Sequence, residues 1–182
     1  MLLPILRLLG AAAVLVGCSQ PVYRTTTEPL VPVPTLELQR YAGRWYEIAR
    51  LPNSFEDAEC LTVTADYTLR ADKTVEVVNT CVLADDVDRS VGTARVPDPK
   101  APAKLEVSFF RPFYGDYWVI ALDTDYRWAL VAEPQGKYLW LLARTPKLES
   151  AMEAEVMRRI EAAGYPVSAL IRPENERPAP PR

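Results

Sequence analysis

"LTVTADYTLRADKTVEVVNTCV", residues 61–82, is two alternating runs around a turn. Val63, Ala65 and Tyr67 fall on one face of the first run. Val75, Val77 and Asn79 fall on one face of the second. A period of two is the mark of a strand with one buried face. Arg70-Ala71-Asp72-Lys73 between them has the residue types of a hairpin link. A hairpin centred on Asp72-Lys73 would set Cys81 opposite Thr64, four residues from Cys60.

The same pattern extends in both directions. "RWYEIARL" (44–51) precedes the hairpin. "RSVGTARV" (89–96), "KLEVSFF" (104–110), "DYWVIALD" (116–123), "RWALVAE" (127–133) and "YLWLLAR" (138–144) follow it. Eight strands with short links and no helix between them indicate a sandwich or barrel. The period then changes. Across 146–166, Leu148, Met152, Val156 and Ile160 recur every four residues as one helix stripe, and Gly164 and Pro166 stop it. An all-β fold is expected: an eight-stranded antiparallel up-and-down barrel, or calyx, with one C-terminal α-helix packed outside. Such a barrel encloses room for about one small ligand.

The chain has 182 residues and a formal charge of −3. No nucleic-acid footprint is expected from so mild an acidity. It has no histidine. That removes the commonest general base and every Ser–His or Cys–His arrangement. With three cysteines and no histidine a zinc site is not expected, and nothing calls for a cofactor.

"LLGAAAVLVGCSQ" (8–20) is an apolar run that ends on glycine and cysteine. It is too short to span a bilayer, which takes about 20 apolar residues. With Arg7 before it, it fits a secretory signal. Leu15-Val16-Gly17-Cys18 resembles the bacterial lipobox, whose cysteine is acylated and becomes the new N-terminus. Residues 1–17 are therefore expected to be a signal peptide and Cys18 the lipidation site. Ser19, rather than Asp, resembles the proteobacterial pattern that favours the outer membrane. The expected place is the periplasmic face of that membrane, held by acyl chains. Pro21, Pro29, Pro32 and Pro34 mark residues 18–35 as a flexible tether. Residues 36–172 are the expected domain, and the proline-rich 173–182 a disordered tail. Export makes a Cys60–Cys81 disulfide the default; in the expected register it needs a bulge or a folded-back approach to the second strand.

"YAGRWYEIARLPNSFE", "LDTDYRWALV" and "YLWLLARTP" resemble the three signature regions of the lipocalins, in order and with family-like spacing. The bacterial members anchored in the outer membrane are the nearest likeness. The meander independently brings Gly43, Trp45, Thr124, Asp125, Tyr126 and Arg144 to one end of the barrel. A Trp45–Arg144 stack there would plug the floor as a fold element, not as a catalytic pair.

The links at 52–60, 83–88, 111–115 and 134–137 then form the mouth. With Trp45 inward, alternation turns Glu47 and Ala49 inward; with Arg144 inward, it turns Leu142, Trp140 and Tyr138 inward. The more apolar faces elsewhere add Leu105, Val107, Phe109, Tyr117, Val119 and Ala121. The expected ligand contacts are Ala49, Ala65, Tyr67, Val77, Asn79, Val107, Phe109, Tyr117, Val119, Tyr138, Trp140 and Leu142, with Arg111 at the mouth for a head group. Glu47 in a dry calyx has to be paired or protonated, and is a candidate sensor of the ligand head. Phe109-Phe110-Arg111-Pro112-Phe113-Tyr114 reads either as a lid or as a membrane contact.

What the resemblance implies is binding and carriage of a lipid amphiphile, a fatty acid or lysophospholipid, without catalysis. Two other classes remain at this stage. One is an enzyme on the same barrel, which would need a free thiol. The other is a structural lipoprotein with a closed barrel. A homodimer is compatible with the sequence.

Overall fold

The computed structural model describes residues 20–180. The expected signal peptide, residues 1–17, and Cys18 lie outside them. Each alternating run pairs with the next: β1 (Gly43–Arg50), β2 (Thr62–Leu69), β3 (Val75–Val82), β4 (Val87–Arg95), β5 (Lys104–Phe110), β6 (Phe113–Leu122), β7 (Trp128–Ala132) and β8 (Leu139–Ala143). β8 pairs back onto β1, closing the barrel in sequence order. A short helix, α1 (Leu38–Tyr41), precedes β1, and α2 (Ser150–Ala162) follows β8.

Two apolar clusters explain the layout. Trp45, Tyr67, Val77, Leu105, Val119, Val131 and Leu142 face the interior. Ile48, Leu51, Leu130 and Leu141 face outward under α2, whose Val156 and Ile160 are fully buried against them. β7 and β8 are therefore covered on both faces. That is why "WALVA" and "LWLLA" are nearly unbroken apolar runs, while β4 begins with five exposed residues.

Three irregularities break the alternation. The β1–β8 register shifts between Glu47 and Ala49, the β6–β7 register between Val119 and Ala121, and the β5–β6 register between Val107 and Phe110. A bulge adds one residue to one strand and reverses the faces beyond it. Ala49 consequently pairs with Leu141 and Ala121 with Leu130, so both join the outer cluster and not the lumen. The inward place expected for Ala49 falls instead to Arg50, opposite Trp140.

The β2–β3 hairpin is one residue off the expected register. Cys81 faces Val63, and Thr64 faces Thr80, with no bulge in the pair. The five-residue turn Arg70–Thr74, with Lys73 at a positive φ of 68°, accounts for the shift. Cys60 folds back instead, through a turn closed by its N–H onto the Asp57 carbonyl. It is bonded to Cys81, with the Cα atoms 5.3 Å apart and 21 residues enclosed by separation. Closing that loop is worth about 3 kcal/mol in the chain-entropy account.

Neither end of the domain is loose. Tyr23 and Arg24 donate backbone N–H groups to the Gly136 carbonyl, Thr25 donates to Gly164, and Val33 donates to Val119. Tyr23 and Leu30 pack on the outer cluster and Leu36 on the inner one. The segment expected as a tether is extended but laid along the barrel, because Tyr23, Leu30 and Val33 find wall to cover. The C-terminal segment is ordered for a different reason. β1 and β2 pair only from Gly43 to Tyr46, so they separate towards the mouth. Asn175 fills the gap: its N–H donates to Leu61, its Nδ2 to the Glu47 carbonyl, and its Oδ1 accepts from Val63. The bulge carbonyl that would otherwise be orphaned is thus satisfied.

Candidate functional site

The closed end is built from α1, the start of β1, the β6–β7 turn and the end of β8. Gly43, at φ 99°, turns the chain from α1 into β1. Trp45 is fully buried; its Nε1 donates to the Tyr41 carbonyl at 2.7 Å. The Arg144 guanidinium lies 3.8 Å from the Trp45 ring centroid. Its nitrogens donate to the carbonyls of Arg44 (2.9 Å), Arg40 (2.6 Å), Tyr41 (3.2 Å) and Tyr126 (3.3 Å). One side chain therefore ties four chain segments together. Thr124 and Asp125 are exposed in the turn, and Tyr126 adopts φ 60° with its hydroxyl accepting from Glu37 N–H. Asp123 organises that turn, accepting from Asp125 N–H, Arg127 N–H and the Arg127 guanidinium, which hold its carboxyl below the usual range.

Above the floor, three tyrosines share hydroxyls. Tyr117 lies 2.7 Å from Tyr41 and 2.9 Å from Tyr67. Burial pushes Tyr41 and Tyr117 well above the usual phenol value and Tyr67 to about 12, so all three remain neutral donors. Tyr67 and Tyr117 belong to the expected lining. Tyr41 does not, since it precedes the first strand and its helix is only four residues long.

The middle of the lumen is apolar. Ala65, Val77, Val119 and Leu142 line it, with Val107 and Asn79. Asn79 faces in beside Ala65 and its Oδ1 is buried without a hydrogen-bond partner. Asn79, Val107 and Trp140 stay only partly buried although they point inward, so the lumen is open at this level. Two depressions on the outer surface, about 510 Å³ beside Leu61 and Leu83 and about 260 Å³ beside Arg24 and Gln135, include none of these inward residues.

Towards the mouth stands a group of charges that alternation did not reveal. Arg50 Nη1 lies 3.0 Å from Glu47 Oε1, and both side chains are almost fully buried. Arg50 Nη2 donates to the Asp57 carbonyl at 3.1 Å, and Nε lies 3.3 Å from Glu56 Oε2. Glu56 Oε1 accepts from Trp140 Nε1 at 2.8 Å. Glu47 is held well above the ordinary carboxylate range, first by burial and then by the Glu56 charge, against the opposing pull of Arg50. Glu47 is thus biased towards its neutral form and paired, as an inward carboxylate requires, and Glu56 supplies the second carboxylate against Arg50. Trp140 stacks on Tyr138 at 5.8 Å, and Tyr138 meets Phe55 at 5.0 Å.

The rim carries exposed apolar side chains: Phe55, Phe109, Phe110 and Phe113. Phe110 and Phe113 stack at 6.4 Å across the Arg111–Pro112 link, where Arg111 is exposed. Phe109 lies over Gly92, where an added Cβ would come within 2.8 Å of its ring. β4 pairs with β5 only over Thr93–Arg95, which leaves the upper part of β4 standing clear.

An eight-stranded calyx sealed below by a tryptophan–arginine stack and open above an apolar lumen defines a class of ligand-binding barrels. The model of the lipocalin-like domain matches residues 36–175, and the chain belongs to the lipocalin family. It is similar to the outer membrane lipoprotein Blc of Citrobacter freundii, 39% identical over 172 residues that cover 93% of this chain and 95% of the relative. Blc of Escherichia coli K12 is 40% identical over the same lengths. Among solved structures, insecticyanin from the tobacco hornworm matches with a TM-score of 0.66 and 23% identity, covering 83% of this chain and 87% of that one. That likeness is one of fold.

Proposed function

We propose that the calyx binds one single-chain lipid amphiphile, a fatty acid or lysophospholipid, and carries or stores it in the cell envelope. The observation that carries this reading is the graded lumen: a plugged floor, a neutral tyrosine trio, an apolar middle and a polar mouth. One acyl chain with a small head fits such a gradient. Ala65, Tyr67, Val77, Asn79, Val107, Phe109, Tyr117, Val119, Tyr138, Trp140 and Leu142 are the lining, and Arg111 the outer head-group contact. Catalysis has little support. Cys60 and Cys81 are bonded to each other, and the chain has no histidine. Trp140 is the discriminating residue. Trp140→Ala should weaken oleoyl-lysophosphatidylcholine or oleate about tenfold, roughly the loss of one aromatic contact, in a fluorescence titration followed through the remaining tryptophans. Wild-type affinity in the variant would reject the lumen as the site.

The relatives' name, outer membrane lipoprotein, supports Cys18 as the anchor at the periplasmic face of the outer membrane. Gln20 Nε2 donates to the Pro52 carbonyl, and the N-terminal segment is fastened at Gly136. Both partners belong to mouth links. An acyl chain on Cys18, two residues away, would leave from the same end as Phe55, Phe110 and Phe113, so those rings are read as a membrane contact. Cys18→Ala should move the folded protein to the soluble fraction after a salt wash. A variant that still pellets with membranes would exclude the acyl anchor.

A further inference from the structure

Glu56 belongs to no strand, yet its carboxylate reaches the lumen wall. The 52–60 link delivers it there. Asn53 Oδ1 accepts from the N–H groups of Phe55 and Glu56, a local turn that aims the side chain inward. The neighbours Ser54, Phe55, Asp57, Ala58 and Glu59 are exposed. Two donors on the barrel converge on this one carboxylate: Trp140 Nε1, and Arg50 Nε. The second contact is imperfect. At 3.3 Å, Arg50 Nε and Glu56 Oε2 form no aligned hydrogen bond, and the Glu56 carboxyl also faces the Glu47 carboxyl. A buried guanidinium N–H and a buried carboxylate oxygen left in that state each forfeit part of their desolvation cost. A better-placed carboxylate would recover it.

We propose that Glu56 is an internal stand-in for the carboxylate of a free fatty acid, and that residues 52–60 are a latch which the ligand's own head group displaces from Arg50 and Trp140. The proposal rests on the calyx as the lipid site. The exchange conserves charge: one carboxylate leaves the Arg50 guanidinium as another arrives. A neutral ester offers no anion to replace Glu56, so it leaves the latch shut and gains no contact with Arg50 or Trp140. Selectivity for acid over ester follows from that missing contact.

The test is titration of the full chain with oleate, methyl oleate and oleoyl-lysophosphatidylcholine, for wild type and Glu56→Gln. The glutamine keeps the size and the Trp140 acceptor but not the charge. Wild type should bind oleate at least about tenfold tighter than the ester, and Glu56→Gln should tighten oleate by about a further tenfold while leaving the ester unchanged. Backbone hydrogen exchange in residues 52–60 should rise when oleate binds. Equal wild-type affinity for acid and ester, or an equal shift of both in Glu56→Gln, overturns the stand-in. Binding of the lysophospholipid alone overturns the stand-in and leaves the calyx reading intact. If none of the three lipids binds, both fall.

Discussion

Trp45→Ala should destabilise the barrel by about 3–5 kcal/mol, the range for deleting a fully buried aromatic. The indole is completely buried, with Arg144 on one face and Tyr41 4.9 Å away. Truncation opens a void at the closed end and removes the donor to the Tyr41 carbonyl. It also strips Arg144 of its ring, a contact worth about 0.5–2 kcal/mol on its own. Arg144 would still hold the carbonyls of Arg40, Arg44 and Tyr41, so the floor should loosen but stay assembled. Trp45→Phe keeps most of the ring and should lose only a part of this, about 1–2 kcal/mol. Urea unfolding of the three proteins checks the order. With a slope of about 1–3 kcal/mol per molar, the alanine midpoint should fall by one to several molar units. A midpoint within error of wild type would mean that the floor contributes nothing to holding the barrel shut.

That floor was legible because each part of it needs a particular residue type. A strand that opens Gly-Arg-Trp and another that closes on Arg must meet in an eight-strand meander, and Trp45 and Arg144 do. The strands themselves were legible from alternation, and α2 from the change of period. The hairpin at Asp72 was placed one residue off, since turn length decides register and several lengths suit the same residues. Once the turn is five residues long, Val63, Ala65 and Tyr67 pair with Cys81, Asn79 and Val77 on one face, as a common inward face requires.

The upper half of the lumen was not legible, and one residue explains why. The bulge after Glu47 carries no signature in "YEIARL", where Ile48, Ala49 and Arg50 could each take either face. Extrapolating the period put Ala49 inside and Arg50 outside; the bulge reverses both. Nothing in "PNSFEDAE" marks Glu56, since a glutamate there has the composition of a solvated loop. The clue available was Glu47 itself, a carboxylate on an inward face that needed a partner. The ordered ends were hidden for a similar reason. Proline-rich, polar stretches have the composition of linkers, but Asn175 satisfies a gap between β1 and β2 that only the assembled barrel contains.

Arg50→Met should be the most costly change in the lumen wall. Methionine keeps much of the volume but removes the cation that pairs with both Glu47 and Glu56. Breaking a buried ion pair from one side costs about 3–5 kcal/mol, because the remaining charge keeps its desolvation penalty. Here the cost should depend on pH. Glu47 already titrates well above its unfolded value of 4.5. Between those two values the folded state holds a proton that the unfolded state has lost, so stability falls as pH rises. The contribution of neutral Glu47 is fully present below 4.5 and is lost as pH climbs through the folded value. Arg50 is what restrains that rise, so its removal lifts the folded value further and widens the window. The penalty should be smaller at pH 5, where more of the loss falls on Glu56 alone, and larger at pH 8, where Glu47 too is driven towards its charged form without Arg50 to restrain it. Taking the difference from wild type at each pH cancels the opposite titration of Asp123, whose carboxyl is lowered in both proteins. Adding Glu47→Gln to Arg50→Met should remove most of the pH dependence, since the glutamine is neutral throughout. Urea unfolding of wild type, Arg50→Met and the double variant at the two pH values decides the matter. A penalty of the same size at pH 5 and pH 8 would show that Glu47 does not carry the proton and that the loss falls on Glu56.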